Sequence, residues 1–267
     1  MKKYLSIFII ITLINIFLSI AVYSEDANQI MMNSYNLDQG KDSRTDMKME
    51  LVSKGRKDRE REITSWRIER GDEDKSLMFF RTPESVKGTG FLAWEHKNKE
   101  DDQWLYLPAF KKVRRISASE KDKSFMGTDF TYNDITQPHP DEFVHKLLGS
   151  ETIEGSDCYQ IESIHKTYTG DPAYKDQDKY QYSKTISWTR KDNYIAIKAI
   201  MYDKKGREYK LFRAGDVRKI DGIWTAHVLE MENIKEKHKT VLTITEVKYN
   251  TGIKDSFFTE RELMKPR

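Results

Sequence analysis

The chain has 267 residues, with 46 basic against 43 acidic side chains, a single cysteine, 33% charged residues and 12% aromatic ones. Near-neutral charge gives no overall pull toward nucleic acid, and one cysteine excludes an intramolecular disulfide. Stability must therefore come from a hydrophobic core, and the length suffices for one large domain.

Residues 1–24 read as a secretory signal. Lys2 and Lys3 form a basic start, an apolar run covers 5–20, and Val22 and Ser24 suit a cleavage site before Glu25. The rival reading is an uncleaved anchor, because the apolar run approaches the roughly 20 residues that span a bilayer. Ser6, Thr12, Asn15 and Ser19 interrupt it, which favours cleavage. No cysteine lies near the cut, so the exported chain is not expected to be acylated itself. With Lys2 and Lys3 removed, the 46 basic residues become 44 against 43 acidic, spread over one domain at 25–267.

The spacing then predicts a helix over 26–37, capped by Asp26 and stopped by Gly40. Period-two alternation predicts strands at 44–52, 61–70, 75–82, 89–96, 103–107 and 112–117, separated by turn residues. Pro138-His139-Pro140 breaks this series, and 141–149 reads as a short helix from Asp141 to Gly149. Further strands follow at 158–167, 182–190, 194–202, 208–214, 224–234 and 239–249, with turn signals at Asp192-Asn193, Lys204-Lys205-Gly206 and Asp221-Gly222. Residues 169–179 are the least structured insertion, and Thr259 starts a last short helix. About a dozen strands without βαβ alternation give a mainly β chain. Its economical form is one strongly curved antiparallel sheet.

The stretch 79–135 carries a specific signature. Pro83, Lys87-Gly88-Thr89-Gly90-Phe91-Leu92, Gln103-Trp104-Leu105-Tyr106-Leu107-Pro108, Arg114-Arg115-Ile116 and Ser124-Phe125-Met126-Gly127-Thr128-Asp129-Phe130-Thr131-Tyr132-Asn133-Asp134 together resemble the outer-membrane lipoprotein-sorting protein family. That family is similar to the LolA/LolB superfamily of periplasmic lipoprotein carriers. The resemblance implies an unclosed β-barrel with short helices capping its cavity. It also implies a lipid or acylated lipoprotein cargo, an inner-membrane transporter as partner and transient membrane contact. No catalytic motif comes with it.

The residues themselves offer no nucleotide loop, zinc motif or serine-nucleophile context. Gly88-Thr89-Gly90 reads as a turn between strands, and the six histidines lack ligand spacing. No cofactor, metal or nucleic acid is expected, and no enzyme. Cys158 reads as a small buried hydrophobe. The basic Lys111-Lys112…Arg114-Arg115 cluster reads either as a solvated strand edge or as an attraction for acidic headgroups.

Ten methionines and many aromatics suit an interior that accommodates flexible chains. Alternation nominates Met47, Met49, Leu51, Trp66, Ile68, Phe79, Leu92, Trp94, Leu105 and Leu107 for one apolar cavity face. Phe125, Met126 and Phe130 form either a lid or a structural corner, on a loop expected to return to a strand. The alternative to a carrier is a non-catalytic envelope module with a solidly packed barrel.

Overall fold

The computed structural model describes residues 26–69, 73–97, 99–175, 177 and 180–265. The expected signal sequence lies outside them. A first meander comprises β1 (Asp42–Ser53), β2 (Arg56–Ile68), β3 (Glu73–Thr82), β4 (Gly90–His96), β5 (Asp102–Leu107) and β6 (Lys112–Arg115). A second comprises β7 (Phe143–Ile153), β8 (Ser156–His165), β9 (Lys184–Arg190), β10 (Ala196–Tyr202), β11 (Glu208–Ile220), β12 (Ile223–Asn233) and β13 (His238–Tyr249). β1 pairs with β13, so both meanders fuse into one antiparallel 13-stranded sheet in the order β6-β5-β4-β3-β2-β1-β13-β12-β11-β10-β9-β8-β7. The edges β6 and β7 do not pair with each other: the barrel is curled and unclosed.

The residues joining β6 to β7 must therefore travel from one sheet edge to the other. Residues 116–142 do so as a strap across one face, here called the inner face. The strap includes helix α2 (Tyr132–Ile135) and two single 3-10 turns. Helix α1 (Ala27–Tyr35) covers another part of that face, burying Ala27 and Ile30 against Ile161 and Leu147. On the opposite, outer face the C-terminal segment folds back over the first meander. It ends in α3 (Glu260–Leu263), whose first turn is capped by Thr259.

Two expectations are corrected. Residues 141–149 are not a helix: one 3-10 turn, Pro140–Glu142, leads directly into β7. Val144, Leu147 and Leu148 fit helical spacing, yet Phe143, His145 and Leu147 fit a strand equally well, and pairing with β8 decides between them. The loop at 125–131 returns to α2 rather than to a strand, after closing on itself through a single Ser124–Thr131 bridge.

Candidate functional site: the inner face and its strap

Antiparallel pairing fixes which side chains share a face. Met49 stands opposite Arg61 and Leu242, Phe80 opposite Ile63, and Leu105 opposite Phe91. Met47, Met49, Leu51, Leu105 and Leu107 consequently lie on the inner face, together with Ile63, Met78, Phe80, Phe91 and Ala93. Trp66, Ile68, Phe79, Leu92 and Trp94 lie on the outer face, packed with Phe257, Phe258 and Leu263 of the C-terminal segment. The ten nominated residues thus divide five and five between two faces. Sequence alternation gives parity within a strand, but parity between strands requires the register. The missed inner residues had a signal: Leu77-Met78-Phe79-Phe80 and Phe91-Leu92-Ala93-Trp94 are unbroken apolar runs, which mark strands buried on both faces.

Phe125 is the strap's principal wedge. It is 1% exposed and sits 6.1 Å from the Phe80 ring and 5.1 Å from Phe91, with Tyr132 edge-on at 5.4 Å. Met126 packs beside it, while Phe130 points to a second inner cluster with Met201, Met231 and Tyr182. Gly127 (φ +73°) and Met126 (φ +50°) turn the backbone, and the Thr128 hydroxyl donates to the Phe125 carbonyl at 2.7 Å. All three nominated lid residues therefore face the sheet.

Polar contacts pin the strap at separate points. The Arg61 guanidinium donates to the Met126 carbonyl at 2.8 Å, and the Gln103 amide to the Tyr132 carbonyl at 3.2 Å. The Asp129 carboxylate accepts from the Thr240 hydroxyl at 2.8 Å and meets His238 Nδ1 at 2.7 Å. Asp134 forms the deepest anchor. It takes Lys210 Nζ at 3.2 Å, the Tyr182 hydroxyl at 3.0 Å and the Gln181 amide at 3.0 Å. Lys210 and Asp134 side chains are only 3% and 8% exposed. Burial, then the Asp134 charge, pushes the Tyr182 hydroxyl well above its ordinary pKa, so it remains a donor.

Where the strap leaves the sheet toward β7, Gln137 N–H donates to Glu95 at 3.0 Å. Burial first, and then the charges of Asp101 and Asp74, push the Glu95 carboxyl up to about 7 despite that bond. Asp101 is raised as well, mainly by burial. A cavity of about 310 Å³ opens beside the strap between Asp122, Thr131, Gln181, Lys204, Arg207 and Tyr209. A second, of about 410 Å³, lies on the outer face between Trp66 and the C-terminal segment.

His145 and His238 lack serine-hydrolase geometry, and at His165, which has the Thr167 hydroxyl 2.9 Å from Nδ1 and Glu142 3.6 Å from Nε2, the Thr167 N–H also donates to Nδ1. His145 Nδ1 meets the Ser163 hydroxyl at 2.8 Å, but its Nε2 meets the Pro140 carbonyl rather than a carboxylate. In the His238–Asp129 pair the neighbouring Thr240 donates to the carboxylate, not to the imidazole. Among the described residues no cluster of His, Cys, Asp and Glu could hold a metal ion. Cys158 is buried on β8, and burial raises its thiol pKa.

A family model with the description "-like: Uncharacterized protein" matches residues 72–265. A crystal structure of an outer membrane lipoprotein-sorting protein domain from Vibrio parahaemolyticus is 31% identical, with a TM-score of 0.81 over 89% of this chain and 98% of that one. The chain belongs to the outer-membrane lipoprotein-sorting protein family. A DUF1329 family protein from Desulfovibrio piger is equally similar, at 32% identity and a TM-score of 0.81 over 89% of this chain and 97% of its own. A LolA superfamily protein from Nitrosomonas europaea, 20% identical with a TM-score of 0.66, covers 89% of this chain and 99% of its own and shares the fold. No curated protein matches. For this lipoprotein-sorting family member the comparisons agree with the unclosed, LolA-like sheet described above.

Proposed function

We propose that this protein is a periplasmic carrier. It takes lipid, or the acyl chains of a lipoprotein, against the inner face of the sheet beneath the strap. It moves that cargo between an inner-membrane transporter and the outer membrane, without catalysing a reaction. One observation carries the reading: the apolar inner face is covered by a connecting segment held through a few discrete contacts, not by a second sheet. An acyl chain can offset lifting the Phe125–Met126 tip of the strap while the buried Asp134–Lys210 anchor stays closed. Exposing Phe125 costs roughly 2–3 kcal/mol, and each released hydrogen bond about 1 kcal/mol. Acyl chains contribute about 0.8 kcal/mol per buried methylene, so roughly a dozen return on the order of 10 kcal/mol.

A second reading, a packed interaction module of the envelope, is favoured by the same Phe125, which fills the space between Phe80 and Phe91. Native mass spectrometry of protein purified gently from its own envelope, followed by lipid extraction, separates the two. The carrier predicts a near-stoichiometric lipid or acylated protein. A clean apo mass that persists after incubation with envelope lipids and lipoproteins would sink it and leave the packed module.

A further inference from the structure

Strand polarity sorts the turns of this sheet onto two rims. In the observed order every neighbouring pair is antiparallel, so six hairpin turns line one rim: β1–β2, β3–β4, β5–β6, β8–β9, β10–β11 and β12–β13. Direct bonds join three of these turns side by side. Lys54 N–H donates to the Lys237 carbonyl at 3.1 Å, and Ile234 N–H to the Tyr209 carbonyl at 3.0 Å.

Charge follows the same division. At the β1–β2 turn the exposed Lys54, Arg56, Lys57 and Arg59 outnumber Asp58, although Lys57 is paired with Glu50 and Glu60. The β10–β11 turn carries Lys204, Lys205 and Arg207 against Asp203, and the β12–β13 turn Lys235 and Lys237 against Glu236. At the β5–β6 turn Lys111 and Lys112 are exposed beside Phe110, itself 69% exposed. The opposite rim is mixed to acidic: Glu69 and Glu73 flank β2–β3, Asp101 ends β4–β5, Glu154 lies in β7–β8 and Asp221 in β11–β12. Hydrogen bonding to Lys57 lowers the Glu50 pKa, while Glu95 and Asp101 near the other rim are raised by burial and by neighbouring acids.

We propose that the basic rim, with Phe110 at its β5–β6 corner, is a docking surface for an anionic lipid membrane. Strands stand about 4.8 Å apart, so adjacent hairpin turns lie about 10 Å apart along the rim. That is close to one Debye length at physiological salt, and the cations act together on a charged plane. Basic residues near an anionic leaflet each contribute about 1 kcal/mol, and an exposed aromatic with flanking lysines is the composition of an interfacial anchor. An acidic protein would match the charge, but the single protruding ring followed by two lysines fits a fluid interface better than a shaped pocket. The inference deepens the carrier reading, because the cavity beside Lys204 and Arg207 opens on this rim and would face the bilayer that receives cargo.

The test is co-sedimentation of cargo-free protein with vesicles of phosphatidylcholine alone, or with about one-third phosphatidylglycerol. Binding is expected only to the anionic vesicles and is lost as salt rises from about 0.1 M to 1 M. Lys111→Glu/Lys112→Glu lowers partitioning at least about tenfold, and Lys204→Glu/Lys205→Glu does so from a separate turn. Phe110→Ser weakens it severalfold with little salt dependence. Lys99→Glu/Lys191→Glu makes the same charge change on the opposite rim and leaves binding unchanged. Equal binding to both vesicle types, or equal losses from both rims, overturns the proposal. Absence of vesicle binding alongside tight binding to polyglutamate also overturns it and points to an acidic protein. Vesicle binding without co-purifying lipid would sink the carrier alone, and lipid cargo without vesicle binding would sink the membrane rim alone.

Discussion

Two carboxylates show how position, rather than residue type, sets chemistry here. Glu95 is raised by burial to about 7, above its ordinary value of 4.5. Below pH 4.5 it is protonated in both folded and unfolded chains. Between about 4.5 and 7 the unfolded chain releases the proton that the folded chain keeps, so stability falls as pH rises. Glu95→Gln is therefore expected to raise the melting temperature above pH 7 and to flatten its decline between pH 5 and 8. Parallel melting curves for both proteins would refute this. Asp134 differs in having a cation, Lys210, beside it in a buried site. Asp134→Asn leaves that ammonium without a counter-charge and is expected to cost about 3–5 kcal/mol in urea denaturation. Asp134→Asn combined with Lys210→Met should recover much of the loss, because it removes the uncompensated charge and keeps an acceptor for Tyr182 and Gln181. Neither environment was legible in the sequence. Glu95 follows an apolar run at the end of its strand, where a solvated carboxylate would be expected, and 76 residues separate Lys210 from Asp134.

Most strands were legible as elements, because each alternates or carries an apolar run between turn residues. The strap was legible only as an unusual loop. Its Phe125, Met126 and Phe130 stood out by composition, but whether they close a cavity or fill a core depends on what lies beneath. Phe125→Ala is expected to lower stability by roughly 3–5 kcal/mol. If the strap is a lid, the same change speeds uptake of a fluorescent fatty acid in stopped flow, whereas Trp66→Ala on the outer face leaves uptake unchanged. Equal effects of both changes would remove the inner face from consideration. The C-terminal segment depends on a glycine. A Cβ at Gly90 would lie 2.5 Å from Phe79 and 2.7 Å from Leu263. Gly90→Ala should therefore cost about 1–3 kcal/mol and loosen α3, read as faster proteolysis after residue 250. Gly88-Thr89-Gly90 reads in sequence as a turn, and its first two residues do finish one. The third begins β4, where its missing side chain admits the C-terminal helix.

For the whole molecule, a net charge close to zero conceals a division between two rims that strand order creates. The dipolar arrangement predicts that mild salt changes membrane recovery while leaving the melting temperature nearly constant; a comparable salt shift in both would trace the effect to folding. The sequence by itself determined a β-rich chain, the order of twelve of its thirteen strands, the sorting-family signature in 79–135 and the lack of any recognisable catalytic motif. Those properties are local, since turns, alternation and short motifs act over a few residues. Only the tertiary structure decided the pairing of β1 with β13, the division of Met49 and Trp66 between faces, the burial of Phe125 and the basic excess of one rim. Each depends on register or strand direction between segments far apart in the chain. A one-residue slip would reverse every face while leaving the sequence pattern unchanged.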